Sequence, residues 1–300
     1  MDTYGFEGRV AIVTGAGRGI GRAHARLLAQ RGASVVVNDL GGSTAGRGAD
    51  AGPAAEVVAE IAAAGGTAVA DGNDVADVAG AQAIVDTAVE RFGRIDIVVN
   101  NAGIIRWADF PDADAANVAA HLDVHLGGSF NTIRAAWPRM VDQGYGRIVN
   151  TTSSGMFGLP NNVGYATAKA AVVGLTRSLA TAGAAHGIKV NLVAPAAFTR
   201  MAGAADDDSP MATNMAPELV APMVAFLAHE DCPVTGEIYA AGAGRFGRIF
   251  IAQAPGYVDP SGNPTVEDVA AHWAEINDES GATVPADLMA WSAAFLSHLG

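Results

Sequence analysis

Two patterns alternate through the first two thirds of the chain, and this alternation limits the fold more than any other feature. Short runs of β-branched residues predict strands at 10–15, 34–39, 67–72, 95–103 and 146–153. Longer segments with apolar residues every three or four positions predict helices at 19–32, 53–66, 78–93 and 115–144. Strands that alternate with helices form βαβ units with right-handed crossovers. The sequence therefore predicts an α/β fold, a Rossmann-type doubly wound parallel sheet with helices on both faces.

The rhythm continues with a predicted helix at 165–186 and a strand at 188–193, and it breaks after Pro195. Residues 196–216, which include three consecutive aspartates, predict a loop over a site. A helix at 217–229 and a strand at 236–242 would complete the sheet. We therefore expect a dinucleotide-binding catalytic domain at 1–245 and a C-terminal extension at 246–300. The extension carries Trp273, Trp291 and Phe295 at helical spacings, which indicates packing on the core or an oligomer interface.

Composition excludes several classes of partner. The formal net charge of −13 disfavours nucleic acid, whose phosphates need a basic face, and disfavours an anionic membrane surface. No signal-peptide layout and no uncharged apolar run long enough to span a bilayer is present in the sequence. The single cysteine, Cys232, suits a reducing compartment. We expect a cytoplasmic protein without a metal centre.

A glycine turn follows the first predicted strand directly. Gly15, Gly19 and Gly21, with Arg18 and Ile20 between them, have the spacing G-x-x-x-G-x-G and lead into a helix. Glycine permits a tight turn and close approach of a pyrophosphate, and a helix N-terminus offers N–H donors. The alternative is that the Gly-rich composition scatters glycines here by chance. Its position after the first strand favours a dinucleotide site.

Acidic residues at the ends of the next strands indicate which nicotinamide cofactor would bind. Asp39 would accept hydrogen bonds from ribose hydroxyls and would repel the additional phosphate of NADP, which favours NAD. Asp39 as an ordinary turn residue is the alternative. Asp74 and Val75, after the third strand, would contact the adenine, or Asp74 would only cap a helix.

A phenol and an amine, Tyr165 and Lys169, lie four residues apart and would share one face of a helix. A nearby ammonium favours the phenolate and lowers the pKa of a tyrosine, and lysine also reaches a ribose hydroxyl as a compact charge. The hydroxyl-rich segment "NTTSSG" at the end of the preceding strand would polarise a substrate oxygen. Together these groups indicate proton transfer to or from an alcohol.

These residues resemble the short-chain dehydrogenase/reductase family over residues 8 to 245. The segments that match are "TGAGRGIG", "NNAG", a serine followed by "YATAK", and "NLVAP". The resemblance implies NAD(P)-dependent alcohol–ketone oxidoreduction with Tyr165 as general acid/base, Lys169 as its partner on the nicotinamide ribose, and a serine at the carbonyl. It further implies contacts with the cofactor by the following residues: Asn101, Ala102, Gly103, Pro195 and Thr199.

Within the family, several stretches resemble the dehydrogenase region of the type 2 peroxisomal multifunctional enzymes. These stretches include "VVVNDLGG" with the Gly-rich insert after it, "DVHLGGSF" and "AAWPRM". The resemblance implies a (3R)-hydroxyacyl-CoA or hydroxysteroid-type substrate and NAD. Arg200 is a candidate for a CoA pyrophosphate, with a plain surface role as the alternative.

Three positions depart from the family pattern. His125 stands where the family has its fourth catalytic residue, an asparagine, and it would either assist proton transfer or be a satisfied core histidine. The strand register points to Ser153 as the substrate-oxygen hydroxyl, whereas spacing back from Tyr165 points to Thr152; we favour Ser153. Pro195 is followed by Ala196 instead of glycine, which would stiffen the loop.

The sequence thus predicts an NAD-dependent dehydrogenase of a bulky, apolar secondary alcohol, acting on a small molecule as a homodimer or homotetramer. A catalytically silent NAD-binding regulatory or scaffold protein on the same fold is the alternative. A nucleoside-sugar epimerase would need a larger C-terminal domain than this chain offers.

Overall fold

The computed structural model describes residues 4–203 and 209–299. Eight strands form one sheet in the order β3-β2-β1-β4-β5-β6-β7-β8, and every pair from β3 to β7 is parallel. The strands are β1 Val10–Thr14, β2 Ser34–Asn38, β3 Thr67–Asp71, β4 Ile97–Asn100, β5 Gly146–Thr151, β6 Ile188–Pro195, β7 Ile238–Gly242 and β8 Arg245–Ile249. The predicted doubly wound sheet is confirmed.

The helices connect the strands and cover both faces of the sheet. Their bounds are α1 Gly19–Gln30, α2 Gly52–Ala63, α3 Val78–Phe92, α4 Ala115–His121, α5 Gly128–Gln143, α6 Val163–Gly183, α7 Pro210–Asn214, α8 Ala221–Ala228, α9 Val266–Ala271, α10 Trp273–Ile276 and α11 Leu288–Phe295. The segment predicted as one helix at 115–144 is divided by a π-helical turn, Leu122–Gly127, which carries His125. Such turns often occur at functional sites.

Alternate residues of each central strand enter two separate hydrophobic layers. In β1, Ala11 and Val13 pack toward α1, α2 and α8, whereas Val10 and Ile12 pack toward α3 and α5. Because helices cover both faces of the sheet, the central strands are continuous apolar runs and do not alternate apolar and polar residues.

The crossovers reverse direction at β1, which has β2 on one side and β4 on the other. Ligands of open parallel sheets bind at the carboxyl ends of the strands where the strand order reverses in this way. The fold therefore places the ends of β1, β2 and β4 around a crevice.

The chain forms two compact units, one ending at Arg248 and the other beginning at Ile249. In the second unit, α9 begins with a capping box between Thr265 and Asp268, and the Trp291 ring stacks on Phe295 at 4.8 Å between centroids. Trp273 and Phe295 are 60% and 51% exposed, so neither is a core residue of this unit. The proposed packing role of the extension stays a prediction.

One segment among the described residues, Pro210–Ala228, is long and apolar enough to cross a membrane by length and composition alone. This is weak support for a membrane span, because helices in protein cores meet the same criterion. Here α8 packs Val224 and Leu227 into the core. The expected absence of a membrane partner stays a prediction.

Candidate active site

The glycine turn between β1 and α1 has the conformation that its sequence predicts. Gly15 and Gly19 adopt positive φ angles of +62° and +52°, which side chains rarely adopt. A Cβ on Gly21 would lie 2.2 Å from the carbonyl oxygen of Gly15. The turn is therefore closed by backbone-to-backbone contact, and it leaves the N-terminus of α1 facing the crevice.

Asp39 lies at the end of β2 and is held by two backbone amides. Its Oδ2 accepts from Gly17 N at 2.7 Å, and its Oδ1 accepts from Gly41 N at 2.7 Å. Each carboxylate oxygen keeps capacity for a further hydrogen bond. Asp39 thus bonds to the glycine turn and also starts the Gly-rich insert with an Asx-type turn, and its contact with a ribose stays a prediction.

The "NNAG" segment joins the ends of β1 and β4. The Asn101 side chain donates to the carbonyl oxygens of Thr14 and Gly15 at 3.0 Å, and Asn101 N and Ala102 N donate to Thr14 Oγ1 at 3.1 Å. A second, buried chain runs from Thr132 through Asn100 and Asn150 to Thr176. These bonds fix the floor of the crevice.

A cleft of about 500 Å³ follows these elements. Eleven of the fifteen residues predicted to bind the cofactor line it: Gly15, Arg18, Gly19, Ile20, Asp39, Asp74, Val75, Asn101, Ala102, Gly103 and Thr199. Gly21 is buried behind the turn, and Pro195 ends β6. Tyr165 and Lys169 lie outside the lining.

Asp74 does not cap α3, because Asp77 does so by accepting from Ala79 N and Gly80 N. Asp74 Oδ1 accepts from Ala76 N at 2.9 Å in a turn that lines the cleft. The helix-cap alternative for Asp74 is therefore wrong, and a cofactor contact stays a prediction.

Tyr165, Ser153 and Lys169 come together where β5 meets α6. Asn162 begins α6 by accepting from Tyr165 N at 3.1 Å, and the Ser153 hydroxyl interacts with the phenol of Tyr165. Burial raises the pKa of Tyr165, and the hydrogen bond with Ser153 lowers it in part. A pKa-lowering effect of Lys169, which we expected, is not among the causes of this shift.

Lys169 is buried, and its Nζ donates to Thr151 O at 2.9 Å. Nζ lies 5.6 Å from the centroid of the Tyr165 ring. Burial lowers the pKa of Lys169 to about 7, so its charge near neutral pH responds to any ligand that neighbours it.

The structure separates the two hydroxyls that the sequence left open. Thr152 Oγ1 donates to Lys169 O at 2.7 Å and is buried. Ser153 Oγ accepts from Gly155 N at 3.1 Å and lowers the pKa of the Tyr165 phenol. Ser153 therefore faces the phenol, whereas Thr152 ties β5 to α6.

His125 packs against the phenol, with ring centroids 5.3 Å apart and an interplanar angle of 88°. Its Nε2 lies 2.8 Å from Ile104 O and 3.3 Å from Ile104 N, while its Nδ1 is buried without a partner among the described residues. Burial holds the pKa of His125 well below its usual range, so the ring is neutral. Gly103 needs to be glycine, because a Cβ would lie 2.4 Å from this ring.

His121 is a residue that sequence reasoning missed. Its ring stacks parallel to His125 at 6.1 Å and meets Tyr165 edge-on at 6.1 Å. Its Nδ1 donates to Asn117 O, and its Nε2 accepts from Arg106 N. The i, i+4 spacing of "HLDVH" is the signal that would have found it.

The Gly-rich insert after β2 is also tied to the site. Ile105 N donates to Thr44 O at 2.8 Å, and Arg106 Nε donates to Ala45 O at 2.9 Å. Gly41 has a φ of +77°, and a Cβ there would lie 1.8 Å from Asp50 O. The insert thus connects the Asp39 side of the cleft with the segment that holds His121 and His125.

The residues of the cleft fit a dinucleotide. A Cβ on Gly19 would meet only Thr199, at 3.7 Å, so a side chain there would occupy the space in front of α1. That space adjoins free N–H groups of a helix N-terminus, which suit a pyrophosphate. Asp39 offers carboxylate oxygens for ribose hydroxyls. No group of three or more potential metal ligands occurs among the described residues.

Comparisons with known proteins agree with this geometry. Residues 9–209 match the short chain dehydrogenase family. A Mycobacterium tuberculosis protein assigned to the short-chain type dehydrogenases/reductases is 46% identical over 283 residues, which are 93% of this chain and 98% of that protein. The peroxisomal multifunctional enzyme type 2 of Drosophila melanogaster is 42% identical over 284 residues, 92% of this chain but only 46% of that enzyme.

Two solved structures extend the comparison. The full-length Drosophila melanogaster enzyme superposes with a TM-score of 0.81 at 33% identity and covers 98% of this chain, which spans 50% of that one. A 7α-hydroxysteroid dehydrogenase in complex with NADH and 7-oxo glycochenodeoxycholic acid superposes with a TM-score of 0.72 at 30% identity. That superposition covers 81% of this chain and 98% of the other.

Proposed function

The chain belongs to the short-chain dehydrogenase family, and from this premise we propose that it is an NAD-dependent oxidoreductase that interconverts a secondary alcohol and a ketone. One observation carries the proposal. The Ser153 hydroxyl, which lowers the pKa of the Tyr165 phenol, and the Lys169 amine, 5.6 Å from the centroid of the phenol ring, lie beside a cleft whose lining includes the glycine turn and Asp39. The assembly supplies both proton transfer and a dinucleotide cradle.

In alcohol oxidation, the Tyr165 phenolate accepts the proton of the substrate hydroxyl, and Ser153 donates a hydrogen bond to the same oxygen. NAD⁺, when bound, is the hydride acceptor for the carbon that bears this hydroxyl. In ketone reduction, the Tyr165 phenol returns the proton. A substrate oxygen placed between the Ser153 hydroxyl and the Tyr165 phenol would be within reach of both groups.

Lys169 would act through its charge and its remaining N–H groups. One N–H is committed to Thr151 O, which holds the amine next to the phenol. With its pKa lowered to about 7, Lys169 would be drawn to the charged form by the phenolate that forms opposite it. The other N–H groups remain for ribose hydroxyls.

His125 would serve as a neutral hydrogen-bonding group and not as a cation. Burial keeps it uncharged, and its Nδ1 retains unused hydrogen-bonding capacity beside the Tyr165 ring. We propose that this nitrogen holds a water next to the phenol. The family's asparagine position is thereby occupied by a group that can still bond a water.

The Asp39 geometry supports NAD over NADP. We expect a preference for NAD⁺ of about a hundredfold, since placing a phosphate against a fixed carboxylate costs several kcal/mol. The Asp39→Ala variant should weaken this preference at least about tenfold by removing the repulsion. Initial rates with both cofactors test this, and a wild-type preference for NADP⁺ would show that the assignment is wrong.

For the substrate we propose a 3-hydroxyacyl-CoA, as the resemblance to the type 2 multifunctional enzymes implies. A hydroxysteroid is the second candidate, supported by the similarity to a dehydrogenase solved with a 7-oxo bile acid conjugate. Each of these substrates has a bulky apolar body and a secondary alcohol.

NAD⁺ reduction should be measured with three substrate classes: (3R)-hydroxyacyl-CoAs, hydroxysteroids and simple secondary alcohols. Turnover of the first class supports the proposal, and turnover of steroids alone would move it to the second candidate. NADH binding without turnover of any class would instead favour the silent scaffold alternative.

We also propose that the protein is a homo-oligomer. The exposed stripe of α6 carries no charge over five positions, Val163, Thr167, Ala170, Gly174 and Ser178. An uncharged face of this length suits contact with a second copy. Sedimentation measurements would show a dimer or tetramer, and a monomer at micromolar concentration would contradict this.

A further inference from the structure

Residues 104–106 hold both histidines of the candidate active site, and we call them the bridging segment. The carbonyl oxygen of Ile104 lies 2.8 Å from His125 Nε2, and the amide of Arg106 donates to His121 Nε2 at 3.1 Å. Both rings contact the candidate catalytic phenol edge-on. The backbone of the bridging segment therefore sets where the two rings stand against that phenol.

The bridging segment is also bonded to the Gly-rich insert. Ile105 N donates to Thr44 O at 2.8 Å, and Arg106 Nε donates to Ala45 O at 2.9 Å. The insert also lines the cleft, through Gly42, Ser43, Thr44 and Gly46. It is therefore a wall of the cleft and, at the same time, a support of the bridging segment.

Arg106 makes its two connections with different groups. Its side chain bonds to the insert, whereas its backbone amide bonds to His121 and its backbone carbonyl accepts from Asn117 Nδ2 at 3.0 Å. A hydrogen bond from a charged donor is stronger than one between neutral groups, and the planar guanidinium fixes its direction. A substitution of the Arg106 side chain therefore removes the bond to the insert and leaves the backbone bonds on the histidine side in place.

The bond between the Arg106 amide and His121 needs a neutral imidazole. Nδ1 of His121 donates to Asn117 O at 2.8 Å, so Nε2 has the lone pair that accepts from Arg106 N. Burial lowers the pKa of His121, its backbone hydrogen bond raises it in part, and the positive charges of Arg106 and Lys169 lower it again. The guanidinium thus helps to keep the ring in the form that the amide of the same residue recognises.

We propose that Arg106 is a positioning residue that couples occupation of the cleft by the cofactor to the placement of His121 and His125 beside the phenol. A dinucleotide seated against the insert orders the backbone of the insert, and Arg106 transmits that order to the two rings through the bridging segment. The inference rests on the proposed function, because it takes the ligand of the cleft to be NAD.

The first test detects the coupling without turnover, by amide hydrogen exchange with NADH as the ligand. In wild type, NADH should slow exchange about fivefold or more in the insert and also in residues 105–121, none of which lines the cleft. In Arg106→Met, which keeps an unbranched side chain without the donor, the slowing should be confined to the insert. Arg106→Lys, which keeps a charged donor, should restore part of it. Equal slowing of residues 105–121 in wild type and Arg106→Met would overturn the proposal.

The second test separates positioning from structural support. At saturating NAD⁺, Arg106→Met should lower kcat for alcohol oxidation about tenfold and change the KM of the alcohol less than about twofold. Arg106→Lys should recover most of kcat. A merely structural role would lower the denaturant midpoint of Arg106→Met and leave kcat of the folded protein at the wild-type value, which would contradict the proposal.

The third test approaches the coupling from the insert and keeps Arg106. Gly46 and Gly48 have φ angles of +74° and +79°, so alanine strains the backbone similarly at the two positions. A Cβ on Gly46 would lie 2.9 Å from Ile104 Cγ2, whereas a Cβ on Gly48 would meet nothing within 4 Å. Gly46→Ala should therefore lower kcat at saturating NAD⁺ about fivefold, and the matched control Gly48→Ala should keep it. Equal kcat in the two variants would contradict coupling through the bridging segment.

The three readouts distinguish failure of the coupling from failure of the proposed function. If NADH binds and no alcohol is oxidised, the proposed function fails and hydrogen exchange alone decides the coupling. If an alcohol is oxidised and NADH slows exchange equally in wild type and Arg106→Met, the proposed function stands and the coupling fails. A protein that binds no NADH would overturn both.

Discussion

On the Asp39 side of the cleft, the groups that face a ligand are backbone atoms of glycines and one carboxylate held by two amides. On the Tyr165 side, they are side chains that are buried against one another, a phenol between a serine, a lysine and two histidines. The first region selects a ligand by shape and by lack of side chains. The second works through shifted pKa values, which backbone groups cannot supply.

The comparison has a direct consequence for mutation. Substitutions on the Asp39 side should change binding of the cofactor, whereas substitutions on the Tyr165 side should change the rate with little effect on that binding. The substitutions at Tyr165, Ser153 and Gly21 below would not separate rate from binding if the two sides were built alike.

The largest effect should follow Tyr165→Phe. Removal of the phenol oxygen should lower kcat by about 10²–10⁴-fold, the usual contribution of general acid/base catalysis. NADH binding, measured by fluorescence titration, should be largely retained, because the phenyl ring still packs on His125. A variant with near wild-type turnover would remove Tyr165 from the mechanism.

The ionisation of Tyr165 predicts how the rate of alcohol oxidation changes with pH. Burial raises the pKa of Tyr165, so the phenolate required for alcohol oxidation is scarce at neutral pH and increases about tenfold per pH unit below that pKa. Oxidation should therefore accelerate with rising pH, whereas ketone reduction, which uses the phenol, should not.

The next effect separates Ser153 from Thr152. Ser153→Ala should reduce kcat/KM by about a hundredfold, since the hydroxyl that meets the phenol and the substrate oxygen is lost. Thr152→Val removes the bonds to Lys169 O and to Met156 Sδ and should cost about 1–3 kcal/mol of unfolding free energy. Denaturant unfolding alongside steady-state kinetics would distinguish them. The reverse pattern would make Thr152 the substrate hydroxyl.

On the Asp39 side, the Gly21→Ala variant tests whether the glycine turn needs the close approach of Gly21 to the carbonyl oxygen of Gly15. The new Cβ would lie 2.2 Å from Gly15 O, and the strain should weaken NADH binding by about 1–3 kcal/mol. Gly247→Ala is the control, because a Cβ there meets nothing within 4 Å and Gly247 lies on β8, outside the cleft lining. It should leave NADH binding unchanged and stabilise β8 by about 0.5–1 kcal/mol. Equal NADH affinity in both variants would contradict the backbone model.

The sequence predicted the two sides of the cleft unequally. The parallel sheet, the glycine turn and Asp39 were predictable because glycine spacing and strand ends carry backbone information directly. The register of β5 favoured Ser153 over Thr152 from the sequence alone, whereas the partners of the two hydroxyls, Lys169 O for Thr152 and the phenol for Ser153, needed coordinates. The π-helical turn was missed, because a one-residue change of helical phase is not visible in an apolar pattern, whereas the i, i+4 spacing of "HLDVH" could have indicated His121.

The smallest effect concerns His24, in α1 behind the glycine turn. Its ring is buried, both nitrogens lack a partner among the described residues, and burial lowers its pKa to about 3. The unfolded chain binds a proton below the ordinary pKa of 6.5 and the folded chain does not, so stability falls as pH decreases from 6.5 toward 3. Between pH 7 and pH 5 this amounts to about 2 kcal/mol.

His24→Leu should abolish that loss and make the protein more stable than wild type at pH 5, because an apolar side chain replaces two unpaired polar atoms. Denaturant unfolding at both pH values measures the effect, with NADH titration at pH 7 as the check that the turn is intact. Burial also lowers the pKa of His121 and His125, so both proteins keep the acid sensitivity of those two histidines, and the difference between His24→Leu and wild type measures His24 alone. An unchanged pH dependence in His24→Leu would assign the acid sensitivity to the Tyr165 side.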